Sequence, residues 1–473
     1  MIPKANPLKT SRNQLTFNLH CPASRIEEIR WIADFIIVEY LGLSYQLIVS
    51  PGLSYFVLMA DGKKLSLPDK FFASVTENWL DKKTIPKDPV RKTKIVGGPL
   101  EGCGLNELPL VFGDGGFEMT SPTEAFLEID VFGFCFFLLS RYEEVANPVC
   151  DVFSRYSAAE SMAVRSNFLE YPVVDHYIEN LFAAIKILWP RCERLNRRGN
   201  IVVSCDVDEP YERWIKNGRW LTLGVIGSFV KKRSFSAVQS RILNYKKSLE
   251  GDYRNDKCWT FDWYLNTCEA AGRSVMFYIF GRMTGVPLDA VYDLRELRIV
   301  GLLKQIKSRG HEIGLHSSIL SYRSEYRINI ERANLQRVCD SLGYGDQILS
   351  NRHHYLRFQV NTTPECLESA GIKFDSSGGY AERAGFRFGT SRPFNMWSFH
   401  KRRSLEVKQH PLVLMDGTLV ELMGLGYGEE AYKYVDRLKK EALRFGGDFN
   451  LLWHNSDLKC LEAKELFRFS LSS

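Results

Sequence analysis

The chain has 473 residues, of which 45% are hydrophobic and 25% are charged, and its formal net charge is +6. This length predicts two or three domains of a globular protein. The small net charge gives no support to a nucleic-acid-binding class, and no stretch of about 18 apolar residues predicts a membrane-spanning helix. The N-terminus lacks the apolar core of a signal peptide, and the 11 scattered cysteines contain no C-x-x-C pair. These features indicate a reducing, cytoplasmic location.

Residues 1–195 have the pattern of a mixed α/β accessory domain. The segments 44–50 and 54–60 flank a Pro-Gly turn and predict a β-hairpin. Segment 121–144 begins with a capping-box arrangement of Ser121 and Glu124 and becomes almost wholly apolar, which predicts a buried helix. Its last four residues, RYEE, are interpreted as a solvated helix end, with an interdomain contact as the alternative. The polar, basic stretch 189–200 marks the boundary with a second domain, residues 196–473.

The second domain alternates short apolar runs with helix-length amphipathic stretches. This alternation predicts parallel β/α units, so the fold class is α/β. Six or seven units over about 270 residues favour a distorted (β/α)7-type barrel over an open sheet. The apolar runs lie at 201–206, 275–280, 311–316, 348–355, 372–377, 405–414 and 450–456.

Polar side chains follow several of these runs. The sequence IVVSCDVDEP places Asp206 and Asp208 two residues apart, so both side chains point to the same side of a strand. Such a pair shares a proton or holds a cation, and capping of a turn is the open alternative. Asp and His side chains together suit zinc or another divalent transition metal, with one position left for water. Histidines end three further runs: His316, the pair His353–His354, and His454.

The order of these motifs resembles the polysaccharide deacetylase family, also known as NodB-homology or carbohydrate esterase family 4. SCDVDEP resembles its first motif, GHEIGLHSS its second, NRHHYLRF its third and LLWHNS its last. The resemblance implies a general base, two metal ligands, an arginine that contacts the base, and a histidine that protonates the leaving group. In that order, these are Asp206, Asp208 with His316, Arg352 and His454.

One position departs from the family pattern. The family's second motif carries another ligand histidine four residues after the first, and Leu320 stands at that position. Either His354 or His353 replaces this ligand, or the site has lost its metal and its activity. We favour His354, because it lies two residues from Arg352 and therefore on the same side of a strand.

These features predict a metal-dependent N-deacetylase, a hydrolase of a linear amide bond. Its substrate would be an N-acetylated sugar or oligosaccharide in a surface-polysaccharide precursor, O-antigen or capsule. The alternative is a non-catalytic carbohydrate-binding or scaffold protein of the same pathway, with a degenerate barrel. The N-terminal domain resembles an uncharacterised domain that precedes deacetylase-like domains in bacterial surface-polysaccharide gene clusters, which suggests context only.

Weaker predictions concern the substrate and the membrane. Asp375, Tyr380 and Trp453 are candidate substrate contacts, with a turn cap or plain packing as the alternatives. Segment 219–247 combines basic residues with an apolar patch, which predicts peripheral contact with an anionic membrane and would suit a lipid-linked sugar. An amphipathic insertion packed on the barrel is the alternative.

Overall fold

Two main β-sheets organise the chain, one in each of its two parts. They are seen in a computed structural model that describes residues 15–87, 90–93, 107–212, 255–290 and 292–472, with isolated residues between 222 and 253. Most of segment 219–247, where the sequence predicts a membrane contact, lies outside the described residues. Buried side chains from both parts form one continuous hydrophobic cluster. The boundary between residues 195 and 196 stays a prediction.

The N-terminal part contains eight strands in the described residues: β1 Thr16–Cys21, β2 Ser44–Val49, β3 Tyr55–Ala60, β4 Lys63–Pro68, β5 Arg91–Thr93, β6 Leu108–Leu110, β7 Gly113–Ser121 and β8 Glu124–Ile129. Six of them form a sheet in the order β2-β1-β3-β4-β8-β7, and β5 pairs with β6. The α-helices of this part are Ile26–Ala33, Phe71–Ser74, Val131–Leu139, Tyr142–Ala146, Met162–Arg165 and Val173–Leu188, and Asp34–Tyr40 is π-helical.

The predicted hairpin between β2 and β3 is wrong, because β1 lies between them. Leu19 of β1 pairs in parallel with Leu47 of β2 and antiparallel with Leu58 of β3. The side chains of Phe17 and Leu19 are fully buried, and a central position in the sheet satisfies both edges of such a strand. The Pro-Gly turn therefore reverses the chain around an inserted strand.

The predicted capping box at Ser121 is also wrong. Ser121 ends β7 and Glu124 begins β8, so the two residues belong to a hairpin turn. Alternate residues of β8 are buried, which is the period of a strand. The buried helix begins ten residues later at Val131, and the Asp130 carboxylate caps it by accepting a hydrogen bond from the Gly133 N–H at 2.7 Å.

The C-terminal part contains nine strands in the described residues: β9 Ile201–Asp206, β10 Val275–Phe280, β11 Glu312–Ser317, β12 Ser350–His353, β13 Phe374–Asp375, β14 Phe394–Ser398, β15 Arg403–Gln409, β16 Leu414–Met415 and β17 Phe449–Leu452. Their order in the sheet is β14-β15-β13-β12-β11-β10-β9-β17-β16. Only the β14–β15 pair is antiparallel in this sheet. The α-helices are Phe261–Ala270, Leu297–Ser308, Glu325–Ser341, Thr363–Ser369, Glu429–Arg444 and Leu461–Leu471, and Thr418–Leu422 is π-helical.

This sheet is strongly curved. Arg352 of β12 donates a hydrogen bond to the Ser204 hydroxyl of β9 at 3.0 Å, and Asn450 of β17 donates to the Ser376 hydroxyl after β13 at 2.9 Å. These bonds join strands that are not neighbours in the sheet. Among the described residues β14 and β16 end the sheet without pairing to each other, so the (β/α)7 barrel itself is not established.

The RYEE sequence lies in a buried contact between the two parts, so the favoured interpretation as a solvated helix end is wrong and the alternative of an interdomain contact describes it. The fully buried Arg141 guanidinium donates to the Glu144 carboxylate at 2.8 Å and to the Arg387 carbonyl at 2.5 Å. Arg387 also binds Glu144, at 2.6 Å. Two guanidinium groups thus share the Glu144 carboxylate, and this pairing compensates for the burial of their charges. The hydrophobic periodicity of the sequence does not reveal such a contact.

None of the helices in the described part of the chain is both long enough and apolar enough to cross a membrane.

Candidate metal centre

The carboxyl ends of three parallel strands bring the candidate ligands together. Asp208 lies two residues beyond the end of β9, His316 is the penultimate residue of β11, and His354 directly follows β12. Parallel strands end at a common edge, and His316 pairs in register with Arg352 of β12. This is the edge at which α/β proteins build their sites.

Asp208, His316 and His354 form a group that we name the metal cluster. One ligand atom from each residue lies within 4.8 Å of the others. The distance from Asp208 Oδ1 to His316 Nε2 is 3.0 Å, and that from Asp208 Oδ2 to His354 Nε2 is 3.5 Å. Ligand atoms bound to zinc in a tetrahedron lie roughly 3.3 Å apart, so the observed spacing fits a cation among them.

The polar atoms of this cluster point to the same conclusion. His316 Nδ1 donates a hydrogen bond to the Arg352 carbonyl at 2.8 Å, so in the neutral tautomer the lone pair is on Nε2. That lone pair faces Asp208 Oδ1, and both atoms are buried without a hydrogen bond. Two facing lone pairs repel each other unless a proton or a cation lies between them. One carboxylate with two imidazoles is a donor set that suits zinc.

Asp289 supports His354 from outside the cluster. The His354 Nδ1 atom lies 3.0 Å from Asp289 Oδ1, the carboxylate–histidine arrangement that orients metal-binding imidazoles. Burial by itself would lower the pKa of His354, but the carboxylates of Asp208 and Asp289 raise it to about 9. Burial would likewise raise the pKa of Asp208, yet the neighbouring His354 imidazole holds it well below its usual range. The same negative field that favours a proton here favours a divalent cation.

Asp206 and Arg352 lie beside the cluster. Arg352 Nη1 is 3.9 Å from Asp206 Oδ2, and both side chains are buried. Arg352 is held in place by hydrogen bonds to the Ser204 and Ser376 hydroxyls, both at 3.0 Å, and its guanidinium carbon lies 5.0 Å from the centre of the Tyr278 ring. Asp206 Oδ1 has no hydrogen-bond partner, so this carboxylate has a free lone pair with which to accept a proton.

His454 approaches the cluster from β17. Its Nε2 atom lies 3.6 Å from Asp208 Oδ2, and its Nδ1 atom lies 2.7 Å from Asp416 Oδ1. Burial alone would lower the pKa of His454, but the Asp416 and Asp208 carboxylates raise it well above its usual value. The raised pKa favours a protonated imidazole, whose Nε2 atom is directed at the cluster.

Asp416, His454 and Asp457 also satisfy the spacing of a cation site. Their shared atom, His454 Nδ1, is already engaged by Asp416 at 2.7 Å, whereas Asp457 Oδ2 is 3.9 Å away. A hydrogen bond of this length accounts for the arrangement without a cation. We therefore assign this group to the orientation of His454.

The three predicted substrate contacts are buried and bound to other protein groups. The Asp375 carboxylate accepts hydrogen bonds from Asn351, Ser377 and Gln409 at 2.8 to 3.0 Å. The Tyr380 hydroxyl accepts one from Arg141 at 2.8 Å. Trp453 is fully buried and packs edge-on against Phe467 at a ring separation of 5.4 Å. In this structure these side chains offer no open face for a sugar, so packing and turn capping describe them better.

Two neighbouring histidines are separated by the pleat of β12. His353 points away from the metal cluster, and its Nδ1 atom lies 2.9 Å from Asn351 Nδ2. Burial lowers the pKa of His353 to about 3, so its imidazole is neutral. Leu320 follows the end of β11 by three residues and is 43% exposed. Of the two histidines, His354 is the one that the structure places with Asp208 and His316.

Sequence reasoning missed the two carboxylates that orient histidines, Asp289 and Asp416. Asp416 follows the short strand β16, so it has the same signature as Asp206, but the run 405–414 merged two strands into one. Asp289 lies in an irregular segment after β10 and carries no local pattern. Its role depends on a tertiary contact.

Comparisons with known proteins add little to this geometry. Residues 17–190 match the model of a family of unknown function, DUF7033. No curated protein matches the chain. A solved structure described as a "putative polysaccharide deacetylase" from Mycobacterium smegmatis is similar to this chain, with 14% sequence identity and a TM-score of 0.36. The similarity covers 58% of this chain and 83% of that chain. The functional assignment therefore rests on the residues of the site.

Proposed function

We propose that this protein is a divalent-metal-dependent hydrolase that removes the acetyl group from an N-acetylated sugar. The observation that carries the proposal is the convergence of Asp208, His316 and His354 on one point, where Asp208 Oδ1 and His316 Nε2 face each other without a hydrogen bond. A candidate base and a candidate acid flank this point. A protein that only binds sugar has no need of a metal cluster with a base and an acid beside it.

The residues divide the chemistry among them. A divalent cation held by the metal cluster would polarise the amide carbonyl and acidify the attacking water. Asp206 accepts the proton of this water as the new C–O bond forms, and the Arg352 guanidinium lies 3.9 Å from this carboxylate. His454 Nε2 donates a proton to the amide nitrogen as the C–N bond breaks. The products are acetate and a free amine.

An amide fits this site better than an ester. An amine is a poor leaving group unless it is protonated, and the Asp416 carboxylate raises the pKa of His454, which favours the protonated form that such a step needs. The sugar itself, and its place in a surface-polysaccharide precursor, follow from the motif resemblance given above. We include in the proposal that this sugar is lipid-linked. A comparison of the rates of acetate release from lipid-linked and free substrates would test this part.

The test combines metal analysis with acetate release from a panel of N-acetylated oligosaccharides. We expect about one equivalent of zinc in the wild-type protein and acetate release that depends on it. Asp206→Asn should retain the metal and lose the reaction, whereas Asp208→Asn should lose both. A wild-type protein that binds no divalent metal would contradict the proposal and favour the non-catalytic scaffold.

A further inference from the structure

A loop of the N-terminal part reaches the metal centre. Residues 149–157, which we name the Asp151 loop, are closed by an antiparallel bridge between Cys150 and Tyr156. Asp151 Oδ1 accepts hydrogen bonds from the N–H groups of Phe153 and Arg155, both at 2.9 Å. Asp151 Oδ2 binds the Arg155 guanidinium at 2.7 to 2.8 Å. The loop is thus organised by its own carboxylate, and Arg155 is held within it.

The Asp151 loop contacts the turn that follows His354. Arg155 Nη1 donates a hydrogen bond to the Tyr355 carbonyl at 3.0 Å. The Phe153 ring stacks on the Tyr355 ring with a centroid distance of 4.9 Å and an interplanar angle of 29°. Arg357 in turn donates to the Ser154 hydroxyl at 3.2 Å. Backbone, ring and side chain of this turn are therefore all held by the loop.

This turn has a backbone that needs outside support. Tyr355 has a φ of 61° and Leu356 a φ of 52°, both in the left-handed region that residues with a Cβ atom disfavour. Such a conformation persists only where surrounding contacts stabilise it. The Tyr355 ring also packs edge-on against the His354 imidazole at 4.6 Å. The Tyr355 side chain is therefore in direct contact with the candidate ligand.

We propose that the Asp151 loop is a clamp that positions His354 as the third metal ligand, with Arg155 and Phe153 as positioning residues. This inference rests on the proposed function, since it takes His354 as a ligand. Asp289 orients the imidazole through Nδ1, and the clamp sets the backbone from which the imidazole extends. The N-terminal part thereby controls metal affinity without touching the metal.

The experiment is a titration of the full chain with Co²⁺, followed by the d–d absorption of the bound ion. Arg155→Ala and Phe153→Ala should weaken Co²⁺ binding about tenfold and alter the spectrum, as expected for residues that support metal ligands. Arg155→Lys should recover most of the affinity, because an ammonium group can still donate to the Tyr355 carbonyl. The matched control is Val152→Ala in the same loop, since Val152 is 93% exposed.

The outcomes separate the clamp from the metal site. Binding within twofold of wild type and an unchanged spectrum in both alanine variants would overturn the clamp, provided that His354→Ala binds weakly. A wild-type chain that binds no Co²⁺ would overturn the metal site and the clamp together. Thermal unfolding checks the fold of each variant. If an alanine variant unfolds, Phe153→Leu replaces it under the same criterion, because leucine retains apolar contact and removes the ring stack.

Discussion

Strand β12 separates two buried polar clusters that differ in how their atoms are satisfied. On one face lie Arg352 and the metal cluster. On the other face, Asn351 joins Asp375, Ser377 and Gln409 in a group that we name the Asp375 cluster. The Asp375 carboxylate accepts four hydrogen bonds from this group, two on each oxygen.

This difference distinguishes a structural cluster from a site. A carboxylate that is saturated by protein donors needs no ligand, and its burial is compensated within the fold. The facing atoms of Asp208 and His316 have no donor, although both are buried. Such atoms carry a desolvation cost that a bound cation removes. Burial and charge alone would not have separated the two clusters.

The largest expected effect follows from Asp208→Asn. The amide has the same shape as the carboxylate but lacks its charge, so we expect the loss of stoichiometric metal and a fall in acetate release of roughly 10³-fold or more. Metal analysis and the rate of acetate release measure the two effects. Asp346→Asn is the matched control, because Asp346 is exposed and pairs with Lys307 at the surface. Full metal content in Asp208→Asn would contradict the ligand assignment.

Asp375→Ala should act on stability instead. The substitution leaves the buried donors of Asn351, Ser377 and Gln409 without an acceptor, which should lower the free energy of unfolding by about 3 kcal/mol. Urea denaturation measures this loss, and a Co²⁺ titration should show a dissociation constant within about threefold of wild type. Unchanged stability together with lost metal would reverse the distinction between the two clusters.

The local pattern predicted much of the C-terminal sheet. All seven predicted apolar runs overlap strands of the sheet, and the runs 201–206 and 275–280 coincide with β9 and β10. The insertion of β1 between β2 and β3 was not foreseen, because strand pairing across the chain leaves no mark on either strand's own sequence.

The candidate site follows the same division. Asp208, His316 and His354 each stand at a strand end, so parallel topology alone places them at one edge. Asp289 and the Asp151 loop come from irregular segments, and Arg155 contacts a residue 200 positions away. Contacts of this kind depend on the folded arrangement of the two parts, which no local periodicity encodes.

Asp416→Asn should change the pH dependence of the reaction. The reaction needs protonated His454, so its rate falls as the pH rises through the pKa of this residue. Asp416 raises that pKa, and its neutralisation should move the alkaline limb of the pH–rate profile to lower pH, with the metal content unchanged. Acetate release measured across the pH range tests this. An alkaline limb that does not move would mean that another group is the acid.

The smallest expected effect is that of Leu320→His, which introduces a histidine at the position where the polysaccharide deacetylase motif has one. The side chain at this position is 43% exposed, and Asp208, His316 and His354 already supply three protein ligands. We therefore expect the Co²⁺ dissociation constant to change by less than about threefold, whereas His354→Ala should raise it by roughly 10²-fold. Much tighter Co²⁺ binding in Leu320→His, together with unchanged binding in His354→Ala, would show that position 320 and not His354 is the place of the third ligand. His354 would then be a structural residue, like the members of the Asp375 cluster. The metal cluster would keep only Asp208 and His316, and its difference from the Asp375 cluster would be smaller.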